Sequence, residues 1–135
     1  VTAFDARRES GILYLVTEWV EGYDLAAWVK RSGPIPWRQA LTWIRQAADA
    51  LEYAHQQGII HRDIKPSNLM IDPQGIVKVL DLGLAKIIGD TIDDDASSQA
   101  LTKSTQIVGT PAFLAPEQAR SPKTIDTRSD IYALG

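Results

Sequence analysis

His61-Arg62-Asp63-Ile64-Lys65-Pro66-Ser67-Asn68, with Asp81-Leu82-Gly83 a short way downstream, is the stretch that decides how this chain is read. Two apolar runs, Leu69–Ile71 and Ile76–Leu80, fill the interval around the turn sequence Asp72-Pro73-Gln74-Gly75. The spacing predicts a β-hairpin whose two ends carry Asn68 and Asp81. One turn then brings two oxygen-bearing side chains together, close to Asp63 and Lys65. A third block, Gly109-Thr110-Pro111-Ala112-Phe113-Leu114-Ala115-Pro116-Glu117, follows.

Working outward, Trp37 to Gln57 reads as the clearest helix. Ala40, Leu41, Ile44, Ala47, Ala48, Leu51 and Ala54 fall on one face, and Arg38, Thr42, Arg45, Asp49, Glu52 and Gln56 on the other. Pro36 suits its first position and Gly58 its end. Asp24 is placed to cap a short helix, Leu25 to Arg31. Val1 to Asp5 and Ile12 to Glu18 read as strands joined by a polar turn, Ala6 to Gly11. The second is apolar without a break through Val16, as a strand buried on both faces would be. Residues 84–108 show no sustained period and hold Asp93-Asp94-Asp95 among many Ser and Thr. Loops of that length inside a domain are functional or disordered, and the acidic run reads as solvated. Asp130 to Gly135 read as the opening of a further helix.

Composition sets the outer limits. The chain has 135 residues, 44% hydrophobic and 23% charged, with a net charge of -3 and no cysteine. That balance is globular. It offers no general attraction to nucleic acid or anionic membranes, and it excludes disulfides and thiolate metal sites. No apolar run approaches the roughly 18 residues a membrane helix needs. His55 and His61 make a poor metal pair without further ligands and are expected to be scaffold.

Asp63, Lys65, Asn68 and Asp81 together suit phosphoryl transfer from a magnesium nucleotide, which needs positioning and charge neutralisation rather than covalent help. The three blocks in this order resemble the protein kinase family. Lys65-Pro66 and Thr110 point to its serine/threonine branch, and Gly109 to Ala119 is similar to bacterial members. Leu82 stands where the family more often has phenylalanine. That alters the packing of a regulatory column and leaves ligation by Asp81 untouched.

The resemblance implies an α+β, two-lobed fold in part. Residues 1–20 would be the last strands of the small lobe and the hinge. Residues 21–135 would be the first half of the large lobe, with the catalytic loop and activation segment. It implies that Asp63 accepts the proton of the attacking hydroxyl, that Lys65 neutralises the phosphoryl group, and that Asn68 and Asp81 hold Mg2+. On the ATP side it implies Thr17 as gatekeeper, backbone contacts to adenine from Glu18 and Val20, Asp24 at the ribose, and Met70 beneath the base. Arg62 and Lys86 would gather a phosphate on Thr102, Ser104 or Thr105, and Thr110 would shape the substrate pocket. The implied partners are proteins bearing Ser or Thr, with self-phosphorylation in trans and no nucleic acid or membrane contact. The kinase region is expected in the cytoplasm, and a membrane anchor in a longer protein is compatible with it.

No Gly-rich phosphate loop is found, nor an anchoring lysine with its glutamate, nor the arginine expected to pair with Glu117. Val77-Lys78-Val79-Leu80 precedes Asp81 and is therefore the wrong strand for that lysine, so Lys78 is expected at the surface. The chain reads as a fragment with no useful kinase activity by itself. Two rivals stay open: a non-catalytic pseudokinase module, and a small-molecule phosphotransferase of the aminoglycoside type.

Overall fold

A single long helix organises the protein. The computed structural model describes residues 1–10, 12–81, 111–120 and 125–135. Its elements are β1 (Ala3–Glu9), β2 (Ile12–Thr17), β3 (Tyr23–Asp24), α1 (Leu25–Ser32), α2 (Trp37–Gln56), β4 (Leu69–Ile71), β5 (Val77–Val79), α3 (Pro116–Arg120) and α4 (Thr127–Leu134). Single 3-10 turns at Pro66–Asn68 and Pro111–Phe113 complete it.

Helix α2 buries Trp43, Ala47, Leu51 and Ala54. The first three join Ile64, Leu69, Ile71, Val77 and Val79 in one apolar core. Each large aliphatic fully buried there contributes about 1.5–3 kcal/mol. The expected face is thus corrected: Leu41 and Ile44 stay exposed, and Trp43, absent from the expected set, is 4% exposed. Trp43 meets Trp28 of α1 edge to face, with centroids 5.2 Å apart. This contact between helices outweighs the simple ranking of apolar residues, because an indole buries more area than Leu41 would. Pro36 lies one residue before the helix and not at its first position. Its carbonyl accepts from the N–H of Gln39 and of Ala40. Gly58 closes the far end at φ 72, a left-handed backbone.

Strands β3, β4 and β5 form one antiparallel sheet in that order. The β4–β5 hairpin has the expected turn: Asp72 Oδ1 accepts from Gln74 N and Ile76 N at 3.0 and 2.8 Å. Gln46 on α2 caps the sheet, its Oε1 accepting from Val77 N at 2.8 Å. Short β3 carried no periodic signal and exists because β4 offers it a hydrogen-bonding edge. Asp24 caps α1 as expected, its Oδ1 accepting from Ala27 N at 2.8 Å.

Strands β1 and β2 pair separately. The expected turn over Ala6 to Gly11 is corrected, since Ala6 pairs with Leu15, Arg7 with Tyr14 and Glu9 with Ile12. The partner strand satisfies those backbone groups, and polar side chains are tolerated because the face that carries Arg7 and Glu9 is open. For the same reason Ile12, Tyr14 and Val16 are exposed, contrary to the two-sided burial their sequence suggests.

Gly22 sits at φ 143, where a Cβ would lie 2.0 Å from the carbonyl oxygen of Ile71. Gly22→Ala therefore forces β3 off β4. The expected cost is roughly 3 kcal/mol from overlap and backbone strain together, read as a lowered urea midpoint of the parent protein.

Candidate active site

The loop after α2 is fixed from three sides. Ile64 is 2% exposed and plugs the core. His61 Nε2 donates to the Leu80 carbonyl at 2.7 Å, and its Nδ1 accepts from Asp63 N at 3.3 Å. A carbonyl can only accept, so the ring proton sits on Nε2. The buried Asp130 of α4 accepts from His61 N at 2.9 Å, Arg62 N at 2.8 Å and His55 Nε2 at 2.8 Å. Arg62 adopts φ 68, a conformation that costs a non-glycine residue on the order of 1–2 kcal/mol. The Asp130 carboxylate offsets that cost. Gln118 Nε2 adds a 2.7 Å bond to the Arg62 carbonyl. Both histidines are scaffold, as expected.

This loop presents Asp63, Lys65 and Asn68 as one cluster. Lys65 Nζ donates to Asp63 Oδ2 at 2.6 Å. Asn68 Nδ2 donates to the Asp63 carbonyl at 2.8 Å and to Oδ2 at 3.1 Å. Oδ2 is thus doubly engaged, and among the described residues no donor reaches Oδ1. With its amide nitrogen committed to Asp63, Asn68 keeps its carboxamide oxygen as its remaining polar atom. Asp81 follows Leu80, whose N–H bonds the Asn68 carbonyl at 2.9 Å. The hairpin therefore brings Asn68 and Asp81 to the same end. Asp81 is exposed at φ 57, which Asp tolerates better than most residues.

Two of the residues read as nucleotide contacts share the β3–β4–β5 sheet. Met70 pairs with Asp24 across β3–β4. Val20 is buried, whereas Thr17 is exposed at the end of β2. Lys78 is part-exposed, in keeping with the expected surface position, but is not free. It is paired with Glu18, Nζ to Oε1 at 2.9 Å. That bond, helped by the Thr2 N–H on Oε2, holds the Glu18 carboxyl down to about 2.

The family model for the protein kinase domain matches residues 1–135. The chain belongs to the protein kinase family. It is 44% identical to the serine/threonine-protein kinase PknB of Mycolicibacterium smegmatis over 90% of its own length and 18% of that protein's. It is 42% identical to PknB of Mycobacterium leprae over 97% of its length and 20% of that protein's. The probable serine/threonine-protein kinase PknB of Bifidobacterium longum is 43% identical over 90% of the chain and 17% of its own length. The kinase chain spans about a fifth of the length of these curated relatives.

Leu82, Lys86, Thr102, Ser104, Thr105, Thr110 and the acidic run 93–95 lie outside the described residues. Sequence reasoning missed the work of Asp130, Gln118 and Lys78, because their partners lie far off in sequence. It also left Glu117 without a partner, whereas Ser129 Oγ donates to its Oε1 at 3.0 Å.

Two outcomes follow for the parent protein. Asp130→Ala leaves buried donors without an acceptor and should cost roughly 3–5 kcal/mol, measured by urea unfolding. Glu18 has a folded pKa below its ordinary 4.5. Its contact with Lys78 therefore stabilises fully above pH 4.5 and is lost as pH falls from there toward about 2. A carboxyl-carbon NMR titration should place the Glu18 midpoint near the lower value, and Lys78→Met should raise it.

Proposed function

We propose that the intact protein is a serine/threonine protein kinase that transfers the γ-phosphoryl group of ATP to hydroxyls of protein substrates. The observation that carries this reading is the Asp63 carboxylate. One of its oxygens is saturated by Lys65 and Asn68, and among the described residues no donor takes the other, which suits it to an incoming alcohol. Family membership and the likeness to named serine/threonine kinases support it.

Asp63 Oδ1 orients the substrate hydroxyl and takes its proton as the new O–P bond forms and the bond to ADP breaks. Lys65 holds the carboxylate in place and supplies positive charge beside the moving phosphoryl group. Asn68 steadies Asp63 from behind. The Asn68 carboxamide oxygen and the Asp81 carboxylate would hold magnesium. Two protein oxygens are too few for a closed cation cage but suit an ion that also takes phosphate and water. That ion supplies neutralisation of phosphate charge. Residues 1–20 serve as the end of the small lobe and residues 21–135 as part of the large lobe. Thr17, Val20, Asp24 and Met70 border the nucleotide. Arg62 with Lys86 receives a phosphate on Thr102, Ser104 or Thr105, and Thr110 borders the substrate. The kinase region works in the cytoplasm, where ATP is.

In the parent protein, Asp63→Asn removes the proton acceptor with little change in shape. Its kcat on a Ser/Thr protein substrate should fall by about 10³-fold with ATP affinity nearly kept. Asp81→Asn should lower kcat and raise the magnesium concentration needed for half-maximal activity. A radiolabel-transfer assay in which both variants matched the wild type would overturn the reading.

A further inference from the structure

We propose that Lys78 is a positioning residue for the nucleotide: by holding the Glu18 carboxylate it fixes the end of β2 over the sheet face that borders the base. The inference rests on the kinase reading above and adds a residue to it.

Lys78, Met70 and Asp24 form one row across the sheet. Lys78 lies opposite Met70, and Met70 lies opposite Asp24. Residues directly opposite in an antiparallel ladder project to the same face. The neighbours Leu69, Ile71, Val77 and Val79 are buried in the core on the other face, while Met70 and Lys78 are only half-buried. Lys78 therefore shares the open face with the two side chains read as bordering base and ribose.

Glu18 closes over that face from the other sheet. Its Oε1 takes the Lys78 ammonium at 2.9 Å, and its Oε2 takes Thr2 N at 2.9 Å. Its own N–H donates to the Thr2 carbonyl at 2.9 Å. With these groups committed, the main-chain position of Glu18 relative to β5 is set before any nucleotide arrives. Preorganisation of that kind lowers the ordering cost of binding. Neither Lys78 nor the Glu18 side chain touches the reacting atoms, so the effect belongs to affinity and not to the chemical step. Lys78→Met removes the ammonium and keeps an unbranched aliphatic side chain at this position.

The test uses the full-length parent protein, ATP kinetics on a Ser/Thr protein substrate, and direct titration with a fluorescent ADP analogue. Lys78→Met should raise both the KM for ATP and the dissociation constant of the analogue by about three- to fivefold, as loss of a part-exposed ion pair allows. Its kcat should stay within about twofold. Lys78→Arg should restore wild-type affinity. Glu18→Gln approaches the same pair from its other side. It should weaken binding to a similar extent, and adding Lys78→Met to it should weaken binding no further. Unchanged nucleotide affinity in Lys78→Met, a failure of Lys78→Arg to restore it, or additive losses in the double variant would overturn the proposal. A wild-type parent that neither binds the analogue nor transfers phosphate would instead overturn the kinase reading, and this inference with it.

Discussion

The carboxylate of Asp130 is the constraint on which the functional loop depends. It is buried in α4 and gathers the His61 and Arg62 amides together with the His55 ring. A buried charge is tolerated only when its lone pairs are satisfied, and here the loop backbone satisfies them. In return the loop is held in a shape that its own residues disfavour, with Arg62 left-handed. Asp63 follows directly, so its direction is inherited from this arrangement.

Rigid elements surround the loop, bury His61 and Asn68 and leave Asp63 and Lys65 part-exposed. Helix α2 and the β4–β5 hairpin share the apolar core, and Ile64 fastens the loop into it. The His61 ring reaches Leu80, so the strand end that leads to Asp81 is tied to the same loop as Asp63. Asp63, Asn68 and Asp81 are thereby built on one small framework, as polar loops on a stable scaffold generally are. The Glu18–Lys78 pair links this framework to the β1–β2 sheet.

Much of this was legible in the sequence, and for definite reasons. The turn at Asp72 to Gly75 is encoded locally, by an Asp that bonds its own backbone and a Gly at φ 79. The Asp24 cap is encoded the same way. The length of α2 follows from its period and from Gly58. What escaped was non-local. Trp43 is buried against Trp28 and the core, and the two tryptophans sit on different helices, so the period of neither helix shows the contact. Ala6 to Glu9 lie in a strand because β2 pairs with them, although three of the four are charged. The motif that marks Asp63, Lys65, Asn68 and Asp81 named the cluster. It could not show that Asp130, far downstream, holds it, because that bond exists only once α4 has packed against α2.

Hydrogen exchange of the parent protein tests this account most directly, through the amides of His61 and Arg62. If Asp130 is the clamp, both amides exchange far more slowly than ordinary loop positions. Asp130→Asn, which has one oxygen fewer to offer, should then speed exchange at His61 and Arg62 together while leaving the β1–β2 amides unchanged. Exchange of the two amides at open-loop rates in the wild type, or rates indifferent to Asp130→Asn, would contradict it.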